Sequence, residues 1–149
     1  MTTMMKTLCA SAIFATAASV SADFHEWAKS PPMGWNSWDC FGTTITEEIA
    51  KAQADAQDKY LKSSGWEYFV VDIQWYEGAS QGHSYQPGAK LTMDEFGRLL
   101  PAPNKVPSSV DGAGFKPLAD YVHAKGLKFG IRLRSGTSSR AAEHCIITA

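Results

Sequence analysis

Tyr68-Phe69-Val70-Val71-Asp72-Ile73 is a continuous apolar and β-branched run. A strand with one wet face alternates apolar and polar residues, whereas an unbroken run is the pattern of a strand covered on both faces, as in parallel sheets. Parallel strands need long crossovers, normally helical, and the flanking sequence supplies them. Before the run, Thr44 with Glu47 three residues on reads as a capping box opening a helix. Ile49, Ala52, Ala56 and Tyr60 then form one apolar stripe, Lys51, Asp55, Asp58, Lys59 and Lys62 fall on the wetter side, and Gly65 ends the helix. After the run, Phe115, Leu118, Ala119 and Val122 set a second helix over about 115–124, stopped by Gly126.

A further strand, Leu127 to Ile131, follows that helix, and Met33-Gly34-Trp35-Asn36-Ser37-Trp38 reads as a short strand ending in a turn. The order strand, helix, strand, helix, strand predicts an α/β fold with right-handed crossovers. Pattern alone leaves open whether it is a doubly wound sheet or part of a barrel. Between Gln74 and Asp111 lies a segment rich in Gly, Pro, Ser and Gln, much longer than an ordinary connection and therefore expected to be functional or disordered. From Arg132 the sequence turns basic and polar. Three parallel strands leave an apolar edge without a partner, so the chain is expected to be a fragment.

The first 22 residues read as a secretory signal peptide: Lys6, an apolar stretch from Leu8 to Val20, and a small-x-small site at Val20-Ser21-Ala22. The apolar stretch is shorter than the roughly 20 residues of a spanning helix, which points to an exported chain, secreted or periplasmic, with residues 23–149 forming the barrel-like part. With Cys9 removed, Cys40 and Cys145 remain. Nothing in their spacing demands a bridge, and a half-buried Cys40 with an exposed Cys145 is expected.

The histidines His25, His83, His123 and His144 are scattered, without metal-ligand spacing. No metal and no cofactor is expected. Lys and Arg total 14 against 15 acids, a balance that offers nothing to a nucleic acid backbone. Gly112-Ala113-Gly114 has Pro117 where a dinucleotide fingerprint needs its third glycine and follows a loop rather than a strand; a turn explains it better. Glu47-Glu48 and Asp94-Glu95 are expected to be solvated charges rather than a catalytic dyad.

Ligands of α/β folds gather beyond the carboxyl ends of the strands, which singles out Trp38, Asp72 to Trp75 and Arg132. A carboxylate at the end of an apolar strand is costly unless it meets donors; for Asp72 these are either the backbone of a turn or the hydroxyls of a ligand. Trp38 and Trp75 offer aromatic walls suited to the C–H face of a sugar ring, with ordinary core packing as the competing role.

Pro32-Met33-Gly34-Trp35-Asn36-Ser37-Trp38, Val71-Asp72, Gly97-Arg98-Leu99 and the stretch Tyr121 to Ile131 together resemble the α-galactosidases of glycoside hydrolase family 27, over Pro31 to Ile131. The resemblance implies a (β/α)8 TIM barrel, here truncated after about three strands, and a retaining double displacement with an Asp nucleophile and an Asp acid/base about 5 to 5.5 Å apart. In the family those carboxylates stand at the ends of strands four and six, so this chain is expected to contain no catalytic residue and to be inactive alone. It retains candidate substrate-binding residues: Trp38, matching the aromatic after strand one; Asp72, matching the first of two adjacent aspartates after strand two; and Ile73 and Trp75.

Ile73 stands where the family has its second aspartate, Gln74-Trp75 replaces the usual Cys-Trp, and Arg132 stands where the family tends to have Tyr or His. An isoleucine leaves the galactose 6-hydroxyl without an acceptor, and L-arabinopyranose is galactose without that CH2OH. The resemblance thus implies hydrolysis of terminal α-D-galactosyl residues, with a β-L-arabinopyranosidase as the alternative and a non-catalytic carbohydrate-binding remnant as a further one. The partner in each case is a small carbohydrate, with neither nucleic acid nor membrane involved.

Overall fold

The computed structural model describes residues 29–86 and 88–133. The proposed signal peptide, Cys9, Cys145, His25 and His144 lie outside them. The chain divides at Pro31/Pro32 into two compact units. Residues 29–31 of the first have no regular secondary structure, and the second carries every element described below.

Its order is β1 (Gly34–Asn36), α1 (Trp38–Phe41), α2 (Glu47–Tyr60), β2 (Tyr68–Val71), α3 (Lys116–His123) and β3 (Lys128–Ile131), with short 3-10 turns at Lys62–Ser64 and Pro107–Ser109. The three strands form a parallel sheet in the order β1-β2-β3. Trp35 is in register with Phe69, and Phe69 with Phe129. Gly34 is required by this pairing, because a Cβ there would overlap the Tyr68 carbonyl and Cβ.

The expected β-α-β-α-β order is borne out, and the details differ in three instructive ways. The first concerns the start of α2. Its N-cap is Thr46, whose hydroxyl accepts from Ile49 N–H at 3.3 Å. Thr44 instead donates its hydroxyl to the Phe41 carbonyl, so the Thr44–Glu47 capping box does not form and Glu47 opens the first turn.

The second is the buried face of α2, which is Glu47, Ala50, Ala54 and Gln57. Ala52 is exposed and Tyr60 is 64% exposed, so the stripe expected through Ile49, Ala52, Ala56 and Tyr60 is displaced by about one residue around the helix. Gln57 Nε2 reaches the Trp66 and Tyr68 carbonyls at 2.9 and 3.0 Å, satisfying acceptors at the entry to β2. This polar demand outweighs the apolar count, since a buried carbonyl left unpaired costs about 1–3 kcal/mol.

The third is β2 itself. Phe69 and Val71 are buried against the helices in a cluster with Ala50, Ala54, Leu118, Val122 and Leu127. On the opposite face Tyr68 is 38% exposed and Val70 half-buried. The strand predicted to be covered on both faces is covered on one.

The α3 stripe behaves as expected, with Leu118 and Val122 buried and Phe115 packed against the core. Gly65 and Gly126 both adopt positive φ after their helices, the first of them after an intervening 3-10 turn. Gly112 and Gly114 lie in turns before α3, also at positive φ.

The long segment between β2 and α3 is ordered by its own bonds. Met93 and Leu99 form an antiparallel bridge. Asp94 closes the turn between them, accepting from Phe96 N, Arg98 N and Arg98 Nε at 2.9, 2.8 and 2.6 Å. Asp94 is thus a turn organiser rather than a free solvated charge.

Glu47 is corrected likewise: it is buried, accepting from Lys51 Nζ at 2.6 Å and from Ser108 N–H at 2.9 Å. Cys40 is free and exposed instead of half-buried. His83 and His123 are exposed, as expected. Among the described residues no helix is long and apolar enough to cross a membrane, and no cluster of His, Cys, Asp and Glu could hold a metal ion.

Candidate functional site

The carboxyl ends of all three strands converge on Asp72. β1 ends at Asn36, and the chain turns directly into α1 through Ser37, whose N–H donates to the Val70 carbonyl at 3.0 Å. Ser37 Oγ accepts from Asp72 N–H at 2.9 Å. Asn36 reaches both ways: Nδ2 donates to Asp72 Oδ2 at 2.9 Å, and Oδ1 accepts from Trp38 N–H at 2.8 Å. From the end of β3, Arg132 brings Nη1 to within 3.3 and 3.4 Å of the two Asp72 oxygens. Asp72 is 0% exposed and also accepts from Ile73 N–H at 2.8 Å. Of the two roles weighed for a buried strand-end carboxylate, the turn cap is met by Ile73 N–H, and the side-chain donors Asn36 and Arg132 meet it as well.

Trp38 lies in the first turn of α1 and is half-buried. His83 meets it edge-on, with ring centroids 5.2 Å apart and planes at 87°, and His83 Nε2 is 3.2 Å from the Trp38 carbonyl. Ile73 is buried but stands apart from the main core cluster.

Trp75 is different. It is 3% exposed, packs edge-on against Tyr76 and Phe115 with centroids 5.0 Å apart, and donates Nε1 to the Arg132 carbonyl at 3.1 Å. Its ring belongs to the core rather than to a sugar-facing wall, and its indole N–H fixes the backbone at the end of β3. Trp35 is likewise structural, stacked on Phe69 at 4.7 Å.

Sequence reasoning passed over Asn36 and Ser37. The available signal was two small polar residues wedged between tryptophans at a strand end, where side-chain to backbone bonds compete with the ladder. It also passed over a buried polar hub behind the site. Lys105 Nζ donates to the Thr43 carbonyl at 2.6 Å, to the Gln74 carbonyl at 3.0 Å and to Ser80 Oγ. Burial pushes the Lys105 ammonium down to about 8, with the Glu77 carboxylate opposing the shift.

Gln74 is held at φ 66°, a left-handed conformation for a side chain with a Cβ. Its buried amide makes no hydrogen bond among the described residues. The hub anchors the residues that directly follow Asp72 and Ile73, so the loop leaves β2 in one fixed direction.

A buried, donor-rich carboxylate and a half-buried tryptophan at the carboxyl ends of parallel strands lie at the face where β/α barrel enzymes carry their active sites. Comparison with known proteins narrows this to one family. The chain matches the alpha galactosidase A (melibiase) family over residues 30–144 and belongs to it. The match runs past Ile131, so the change of composition at Arg132 does not mark its limit.

The chain is 36% identical over 132 residues to the alpha-galactosidase A of Cellvibrio japonicus (strain Ueda107), covering 88% of this chain and 28% of that one. It is 39% identical over 111 residues to the alpha-galactosidase of Coffea arabica, covering 74% and 25%. Among solved structures it is similar to a family 27 β-L-arabinopyranosidase from Geobacillus stearothermophilus, with TM-score 0.77 and 55% identity over 80% of this chain and 27% of that one. A variant of that enzyme in complex with arabinose gives TM-score 0.79 and 54% identity over 83% and 28%. The chain thus spans little more than a quarter of the length of these relatives.

Proposed function

We propose that this chain supplies the first three strands of an exported, retaining glycosidase barrel, and that the complete barrel prefers β-L-arabinopyranosides while tolerating α-D-galactosides. The observation that carries this reading is Ile73, an apolar side chain placed directly after the buried carboxylate of Asp72. An aspartate there would accept from a sugar hydroxyl, an interaction of about 1.5–3 kcal/mol when one partner is charged. Isoleucine offers no acceptor, so a substrate with a 6-hydroxyl leaves that group unpaired, while an arabinopyranoside has none to pair.

Likeness to the Geobacillus β-L-arabinopyranosidase, at 54–55% identity over 80–83% of this chain, supports the same direction, while a putative α-N-acetylgalactosaminidase from Bacillus halodurans is 58% identical over 68% of it. Within this reading Trp38 and Asp72 bind the sugar ring. The two catalytic carboxylates come from sequence beyond these 149 residues, and the chain alone hydrolyses neither glycoside.

The test compares kcat/KM for aryl β-L-arabinopyranoside and aryl α-D-galactopyranoside in the full-length glycosidase, with and without Ile73→Asp. The substitution is expected to move the ratio toward the galactoside by roughly tenfold or more. An unchanged ratio refutes the role of Ile73, and turnover by the isolated 149-residue chain refutes its dependence on further strands.

A further inference from the structure

Asp72 is ringed by donors from its own chain. A carboxylate offers about four lone-pair positions, and three donors face them, one of which, Arg132 Nη1, lies across both oxygens. Oδ1 accepts from Ile73 N–H at 2.8 Å and faces Arg132 Nη1 at 3.4 Å; Oδ2 accepts from Asn36 Nδ2 at 2.9 Å and faces the same Nη1 at 3.3 Å.

These contacts are not equivalent. Ile73 N–H is fixed by the chain itself, and Asn36 is held at its other end by Trp38 N–H. The Arg132 contacts are longer than the roughly 2.7–2.9 Å of a strong charge-assisted bond. They come from one nitrogen rather than from a paired fork, on a side chain that is 61% exposed.

The Arg132 backbone, in contrast, is pinned on both sides. Its N–H donates to the Val71 carbonyl at 2.9 Å and its carbonyl accepts from Trp75 Nε1 at 3.1 Å. The guanidinium can therefore leave Asp72 by side-chain rotation alone, with no movement of the sheet.

We infer that Arg132 is a removable cover on Asp72, which sugar hydroxyls displace as they bind. The inference rests on the reading of Asp72 as a sugar-binding residue. A carboxylate that is accessible only in the uncovered fraction of molecules binds with an apparent affinity reduced by that fraction. The contacts are long and the guanidinium is 61% exposed, so the covered state is favoured only modestly and sugar can open it. The cover is gone before the glycosidic bond is attacked, so it acts on KM and leaves kcat alone.

The experiment uses the full-length glycosidase with Arg132→Ala and Arg132→Gln, scored for KM and kcat on aryl β-L-arabinopyranoside and for the dissociation constant of L-arabinose. Both variants are expected to lower KM and the dissociation constant by about two- to fivefold, with kcat unchanged. In an Asp72→Asn background Arg132→Ala is expected to have no effect on either. Unchanged or raised KM in both Arg132 variants, with Asp72→Asn still impairing binding, overturns the cover and leaves the sugar site standing. Asp72→Asn without effect on KM or on arabinose binding overturns both.

Discussion

Asn36 Nδ2 lies 2.9 Å from Asp72 Oδ2, while Asn36 Oδ1 accepts from Trp38 N–H at 2.8 Å. One amide at the end of β1 thus fixes both the carboxylate at the end of β2 and the backbone that carries the half-buried Trp38. The donor and acceptor ends of the amide are both used, which orients it unambiguously. An aspartate in its place would set a second negative charge against Asp72, and a leucine would leave a donor and an acceptor unpaired.

Asn36→Leu is therefore expected to destabilise the fold by roughly 1–3 kcal/mol, read as a lower urea midpoint. In the full-length glycosidase Asn36→Ala is expected to raise KM for the aryl arabinopyranoside several-fold, because Trp38 and Asp72 lose their common reference. An unchanged midpoint together with an unchanged KM would show that Ser37 and Ile73 hold Asp72 without it.

Acid sensitivity follows from Glu47. Burial by itself would raise its carboxyl, but hydrogen bonds from Lys51 and from Ser108 N–H outweigh it and hold the group below its ordinary 4.5. A carboxyl lowered on folding gives stability that is fully present above the unfolded value and disappears as pH falls through the folded one. Glu47→Gln is expected to be less stable at pH 7 by roughly 1 kcal/mol, with the gap closing as the pH is taken below about 4. Urea midpoints of both proteins between pH 7 and pH 3 measure this, and a gap that stays constant across that range would show that the ionised form is not what the fold uses.

The strand and helix order was legible because burial against the sheet leaves its mark on sequence: Phe69, Val71, Leu118 and Val122 sit where the apolar pattern put them. The rotation of α2 was not legible. Its inward face includes Gln57 and Glu47, which composition assigns to solvent and which only the carbonyls of Trp66 and Tyr68 and the N–H of Ser108 draw inside.

In the site, Asp72 announced itself as a charge at the end of an apolar strand. Trp75 stood beside it in sequence but turns into the core, because the left-handed backbone at Gln74 redirects the chain immediately before it. Arg132 stood out only as a departure from the family pattern, and its approach to Asp72 depends on β2 and β3 being neighbours in register. Long-range placement of this kind leaves no local periodicity to read.

Lys105 gave no signal at all, as a lysine in a loop with Pro and Asn reads as solvated, yet the route of the chain out of β2 depends on it. Its ammonium is the donor common to the Thr43 and Gln74 carbonyls and Ser80 Oγ, and Glu77 nearby is buried. Lys105→Met keeps the stem and removes the donor, so the Thr43 carbonyl keeps only Ser80 Oγ and the Gln74 carbonyl only Glu77 N–H. The expected cost at pH 7 is about 1–3 kcal/mol, the loss of hydrogen bonds from a charged group.

The pH dependence has a definite sign. Burial lowers the folded pKa of Lys105 to about 8 from 10.5, so between these values the unfolded chain binds more protons and the stability contributed by this residue grows with rising pH. The deficit of Lys105→Met relative to the unsubstituted chain is therefore expected to widen from pH 8 to pH 10. Thermal unfolding midpoints of the two proteins at matched ionic strength measure it, and a deficit that narrows over that interval would mean that the hub holds Lys105 as a firmly charged ammonium.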